Sequence, residues 1–343
     1  MQSLAVKYRP TTFDDVTEQG SVKTILQQQL HSGHIKHSYL FCGGAGTGKT
    51  TTARIFASEI NEGKGTPIEI DAASNNSVND VRNIIQQSRM ATLDGSKYRI
   101  FIIDECHSLS NSAWQAMLKL LEEPPETAVF IFCTTDPQKI PKTILSRVQR
   151  FDFQRISQIG IVDRLTLIIQ LEKLSNPLIS AKTDALEYIA KIADGGMRDA
   201  ITLMDKCLSY STDLTVDSVV AAVGTIDYDE MLYLTGNMIG GQAEVMFKSI
   251  EELHRNGKDL KLFIKNYTTF VLDLCKYGLM KNLDLTQIPN FYEEQLKNKT
   301  DDWYKECQRL LTLLIKLNST IKWDTNPKAA IEAILYGFCE GVI

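Results

Sequence analysis

Residues Tyr39–Thr50 read YLFCGGAGTGKT, and the fold turns on this run. Four residues of strand character are followed at once by a glycine-rich turn that fits G-x-x-x-x-G-K-[ST]. A helix-like stretch then spans Lys49–Glu59. Strand, turn and helix in that order aim backbone N–H groups inward at the positive end of a helix dipole, where a phosphate is favoured. Gly43, Gly44, Ala45, Gly46, Thr47 and Gly48 form the candidate cradle, continued by Lys49, Thr50 and Thr51. Lys49 is placed to reach β- and γ-phosphates, and the Thr50 hydroxyl is placed to ligate Mg²⁺. A turn that merely joins two elements rarely carries this spacing in this context.

A second run, FIIDECHSLS at Phe101–Ser110, belongs with the first. Its apolar residues read as a buried strand. A carboxylate at the C-terminal end of such a strand faces the crevice where open α/β sheets bind ligands. Asp104 is therefore the second candidate metal ligand, directly or through water. Glu105 is the candidate base or polariser of an attacking water.

Outward from these motifs, short apolar runs alternate with helical patterns. Strands are expected at Tyr39–Cys42, Ile68–Asp71, Arg99–Asp104, Val129–Thr134 and Arg150–Phe153. Helices are expected at Val78–Met90 and Ala113–Glu122, the first with Ser77 and Asp80 spaced as a capping box. Such alternation predicts a parallel sheet covered on both faces. After Phe153 the strand signal fades. Helices are expected at Ile159–Leu174, Thr183–Ala193 and Arg198–Ser209, with Asp194-Gly195-Gly196 as a break, and more helix follows from Tyr228.

Bulk composition sets limits. With 343 residues the chain has room for two or three domains of roughly 150 residues. At 43% hydrophobic and 23% charged it has the balance of a soluble globular protein. No apolar run approaches the roughly 20 residues that span a bilayer, so no membrane partner is expected. The start, MQSLAVKYRP, lacks the apolar core of a signal peptide, and a cytoplasmic site is the expectation. Seven cysteines without a CxxC pair predict reduced, buried thiols. A net charge of −5 means that any grip on nucleic acid must come from a local patch or from several subunits together.

Asp104-Glu105-Cys106-His107 also spells the DECH of DEAD/DEAH-box helicases. That class needs a second RecA-like sheet, and none can be placed in the helical second half. No Ser-Ala-Thr or Q-x-x-G-R-x-x-R segment is present either. The chain is not read as that helicase.

Several segments in order carry a different resemblance: VKYRPTTFDDV (Val6–Val16), HIKHSYLFCGGAGTGKTTTARIFA (His34–Ala57), IEIDAASNNSVNDVR (Ile68–Arg82), IIDECHSLSNSAWQAMLKLLEEPPE (Ile102–Glu126), TTDPQKIPKTILSRVQRFDF (Thr134–Phe153) and GGMRDAITLMDK (Gly195–Lys206). Over about residues 4 to 225 the chain resembles the gamma/tau family of bacterial DNA polymerase III subunits, the AAA+ ATPase motors of clamp loaders. The resemblance implies an α/β P-loop domain with a five-stranded parallel sheet at 1–155, a helical lid at 156–225 and an all-α collar at 226–343. It places Thr134 at the sensor-1 position. Arg147 becomes a finger reaching a neighbouring subunit's site, and Arg198 becomes sensor 2. Tyr8 and Arg9 fall in the segment along the nucleotide. The implied catalytic set is Glu105, Arg147, Thr134 and Lys49.

The implied function is opening and placing a sliding clamp on primer–template DNA, with ATP and Mg²⁺. The implied partners are other clamp-loader subunits in a pentamer, the clamp and the DNA. The family's four-cysteine zinc module is replaced here by EINEGKGTPIEIDAAS (Glu59–Ser74), so no zinc is expected, and the long tau extension is not seen. The finger reads Ser146-Arg147-Val148, with valine for the family's cysteine. Asn75, Asn76 and Asn79 stand where the family usually has basic residues on its DNA-tracking helix, with Arg82 retained. Met90 and Leu93 are the candidate clamp contacts. The missing module and tail lean towards a reduced viral system over a bacterial one. Two alternatives stay open: another AAA+ machine such as a branch-migration helicase, and a structural subunit that binds ATP without turnover.

Overall fold

The computed structural model describes residues 2–90, 92, 95–223, 228–283, 285–289, 292–321 and 324–342. Two compact units are present, Met1–Ser218 and Val219–Ile343. The α/β segment and the helical segment after it pack together as the first.

Five strands form the sheet: β1 (Ser38–Cys42), β2 (Ile68–Asp71), β3 (Arg99–Asp104), β4 (Ala128–Thr134) and β5 (Gln149–Asp152). Their order is β2-β3-β4-β1-β5, and all pair in parallel. The reason lies in the side chains. β1 and β4 are buried along their whole length, as expected of strands covered on both faces. Alternate residues serve opposite layers. Tyr39, Phe41, Ile102, Ile131 and Cys133 pack with Phe56 and Leu26 on one face. Leu40, Phe101, Ile103, Phe130 and Phe132 pack with Trp114 and Met117 on the other.

The helices of this unit are α1 (Leu4–Lys7), α2 (Gly20–Ser32), α3 (Lys49–Ile60), α4 (Val78–Ser88), α5 (Asn111–Glu122), α6 (Lys142–Leu145), α7 (Gln158–Ser175), α8 (Thr183–Ile192) and α9 (Met197–Tyr210). α10 (Val216–Val223) crosses the boundary between the units. α4 opens with the expected box: Ser77 Oγ accepts from Asp80 N at 3.3 Å while Ser77 N donates to Asp80 at 3.0 Å. Two short strands, β6 (Ser180–Ala181) and β7 (Asp213–Leu214), pair within the helical segment. At two residues each they were too short to register as apolar alternation.

The second unit contains α11 (Tyr228–Ile239), α12 (Ala243–Arg255), α13 (Leu260–Met280), α14 (Glu293–Lys297), α15 (Asp301–Ile321) and α16 (Pro327–Cys339) around one core. α13 and α15 make its longest contact, and they come close at Gly278. A Cβ there would lie 2.7 Å from the Tyr304 ring. Among the described residues no helix is long and apolar enough to cross a membrane. Six of the seven cysteines are buried free thiols and Cys339 is half-buried.

Candidate nucleotide site

The turn after β1 leads directly into α3, so the cradle and the helix N-terminus are one continuous piece of chain. Gly46 takes φ +69°, and a Cβ on it would lie 3.0 Å from the Gly196 backbone. Only glycine meets both demands. Lys49 opens α3 and is 6% exposed. Its ammonium donates to Gly43 O at 2.9 Å and Gly44 O at 2.7 Å. An ammonium has three donors, so one remains for a phosphate oxygen. Burial holds its pKa below the ordinary lysine value, opposed by nearby acidic groups that include Glu105 and Asp104. Gly43 and Gly44 thus enter through their carbonyls, while Ala45 to Thr51 line the cavity itself.

β3 brings the carboxylates to the same place. The Thr50 hydroxyl donates to Asp104 Oδ2 at 2.7 Å. This pairing of hard oxygen donors suits Mg²⁺, which takes one or two protein oxygens and keeps waters for the rest. The backbone turns sharply at Glu105, which has φ +46°. Its Oε2 accepts from the Thr135 hydroxyl at 3.0 Å and lies 3.2 Å from His107 Nδ1.

Thr134 is fully buried at the end of β4. Its Oγ1 accepts from Asp136 N at 3.0 Å and stands 3.1 Å from His107 Nδ1. Thr134 therefore meets Glu105 through His107, and the direct hydroxyl contact comes from Thr135.

The cavity holds about 480 Å³ and is lined by Arg9, Lys49, Arg54, Arg164 and Arg198 against Asp104, Glu105 and Asp199. The excess of cations suits a polyanion. Arg198 sits in the first turn of α9, where Met197 N donates to Gly46 O at 3.0 Å and ties the helical segment to the cradle. Tyr8 and Arg9 line the cavity with Ala5 and Pro10. Lys7 and the Tyr8 hydroxyl both reach Glu172 Oε1 at 2.6 Å, and Arg164 donates to Tyr8 O at 2.9 Å. Those bonds from Lys7 and Tyr8 hold the Glu172 pKa below its ordinary value.

Gln19, absent from the motifs, is buried with φ +53°. Its amide donates to Gln154 O at 2.7 Å and accepts from Gln154 N at 3.1 Å. Burial and a left-handed backbone single it out, and neither is visible in a sequence.

Arg147 is not among the cavity's residues. It is exposed, donates to Thr143 O at 2.7 Å and pairs with Glu122 at 2.6 Å. On α4, Asn79 and Arg82 are exposed and share a 3.4 Å hydrogen bond, while Asn75 closes a turn onto Asp71 O at 3.0 Å. Met90 is exposed, and Leu93 lies outside the described residues.

Comparison with known proteins adds an independent line. Residues 68–157 match the family model described as DNA polymerase III, delta subunit, and residues 160–213 match that of the DNA polymerase III clamp loader subunit, ATPase lid domain. DNA polymerase III subunit tau of Bacillus subtilis is 34% identical over 99% of this chain and 63% of its own length. The Escherichia coli subunit tau is 37% identical over 75% of this chain and 42% of its own length. The chain thus spans less than two thirds of either relative. Among solved structures, the Thermotoga maritima RuvB Holliday junction branch migration motor overlays with a TM-score of 0.51 at 21% identity. That overlay covers 68% of this chain and 79% of the RuvB chain. At that identity the likeness speaks for a shared fold. With a P-loop meeting an acidic strand end, and with the matches over 68–157 and 160–213, the chain is similar over most of its length to DNA polymerase III gamma/tau subunits.

Proposed function

We propose that the chain is an ATP-hydrolysing motor subunit of a clamp loader. The supporting observation is the meeting of two motifs 54 residues apart, Thr50 Oγ1 on Asp104 Oδ2 at 2.7 Å, beside a buried lysine with an uncommitted donor. The amides of Ala45–Thr51 and the Lys49 ammonium bind the triphosphate. Between Thr50 and Asp104, Mg²⁺ would supply charge neutralisation on phosphate oxygens. Glu105 orients and polarises the attacking water. Thr134 braces Glu105 from β4 through His107. Arg198 reads the phosphates from the helical segment, and Tyr8 and Arg9 lie along the nucleotide.

Transition-state charge calls for one more cation beside the γ-phosphate. Arg147 supplies it to an adjoining subunit, which makes each site a composite of two chains. ATP then biases the assembly towards an arrangement that opens a sliding clamp and accepts primer–template DNA, and hydrolysis reverses that bias. The second unit forms the collar that joins subunits. The start of α4, with Asn75, Asn76, Asn79 and Arg82, faces the DNA backbone, and Met90 belongs to the clamp contact. ATP turnover of the assembled complex tests this: stimulation by both clamp and primed DNA is expected, and indifference to the clamp would point to another machine.

A further inference from the structure

We infer that His107 is a positioning residue for Glu105, a proposal that rests on Glu105 being the group that directs water. Glu105 stands in the left-handed region at φ +46°. For a non-glycine residue this conformation is strained and persists only where its surroundings hold it. The next three residues, Cys106–Ser108, form one 3-10 turn. Cys106 is fully buried and pins that turn into the core. The turn carries His107 back across the end of β4.

There, Nδ1 lies 3.2 Å from Glu105 Oε2 and 3.1 Å from Thr134 Oγ1. A carboxylate only accepts, and Thr134 Oγ1 already accepts the Asp136 N–H. The hydrogen bond of Nδ1 is to Thr134 and its approach to Glu105 is a charge contact, so one ring atom touches both groups. Thr135 donates to Glu105 Oε2 at 3.0 Å. Thr135 and His107 thus both lie against Oε2. The side-chain exposures agree, at 18% for His107 and 39% for Glu105. The imidazole is enclosed while the carboxylate opens to the cavity.

The imidazole also links the carboxylate to the phosphate cradle. Thr134 O accepts from Gly43 N at 3.2 Å, at the start of the glycine turn. Gly43, Thr134, His107 and Glu105 thus form one continuous line of contacts from cradle to carboxylate. Removing the imidazole lets Glu105 leave its strained backbone and lose register with the γ-phosphate, without touching any group that binds nucleotide.

The test compares His107→Ala, His107→Asn, His107→Gln, Glu105→Gln and the Glu105→Gln/His107→Ala double variant in the assembled complex. ATP affinity is read with a fluorescent ATP analogue, kcat and KM by phosphate release, and folding by melting temperature. His107→Ala is expected to lower kcat roughly ten- to a hundredfold, the scale of a small misplacement of a reacting group, with ATP affinity unchanged. Asn places its amide nitrogen near Nδ1 and is expected to recover much of the loss, while Gln places it near Nε2 and is not. The double variant is expected to be no slower than Glu105→Gln alone. Full turnover in His107→Ala, equal recovery by Asn and Gln, or an additive double variant would overturn the assignment. Unchanged turnover in Glu105→Gln would instead remove Glu105 from the chemistry, and His107 with it.

Discussion

At the scale of single residues the proposed nucleotide site turns on Lys49, a buried cation held by carbonyls of the cradle itself. Lys49→Ala is expected to weaken ATP binding by at least about tenfold, since hydrogen bonds to a charged group contribute roughly 1.5–3 kcal/mol. Melting temperature should change little, and calorimetric titration with ATP checks both. Glu105→Gln keeps shape and loses charge, so affinity should persist while turnover falls by roughly 10²–10⁴. The sequence displayed these residues because spacing encodes them: a P-loop is a fixed string, and Asp104 ends an apolar run. It could not show which of two adjacent threonines faces Glu105. Thr134 ends β4 while Thr135 lies in the bend just past it, and a fold is needed to fix which hydroxyl turns towards Glu105. Nor could it show His107 as anything but a letter in DECH.

Among elements, the five strands and the long helices were legible because their apolar residues follow the periods of 2 and 3.6 that burial imposes. α1 was not legible. At four residues it has no periodicity, and it is held by contacts to distant chain: Leu4 N on Asp205 at 3.0 Å, and Lys7 and Tyr8 on Glu172. Glu172→Gln should therefore loosen α1 specifically, read as faster amide exchange over residues 4–8 while the sheet is unaffected. The Glu172 pKa in the folded chain lies below its unfolded value of about 4.3. Its tether consequently contributes above that pH and is lost as pH falls through the folded pKa. In the second unit the close approach of α13 and α15 rests on Gly278. Gly278→Ala drives a methyl into the Tyr304 ring and should cost about 1–3 kcal/mol in a denaturant titration. Ser77→Ala, which removes the α4 cap, should cost about 1 kcal/mol by the same measurement.

At the scale of the whole molecule, each chain presents the proposed nucleotide cavity with its own lysine and carboxylates and, outside that cavity, an exposed arginine paired with Glu122. If Arg147 completes a neighbour's site, Arg147→Ala should spare ATP affinity and cut turnover by roughly 10³-fold or more, the range of such fingers. The arrangement also predicts complementation. A Lys49→Ala chain lacks the cation that holds ATP in its own site but still offers Arg147, and an Arg147→Ala chain binds ATP but offers no finger. The most direct measurement is therefore ATP turnover in complexes assembled from the two inactive variants mixed together. The composite site predicts recovered turnover wherever a Lys49→Ala chain presents its arginine to an Arg147→Ala neighbour. Mixed complexes as inactive as their parents, or full turnover by Arg147→Ala alone, would contradict it.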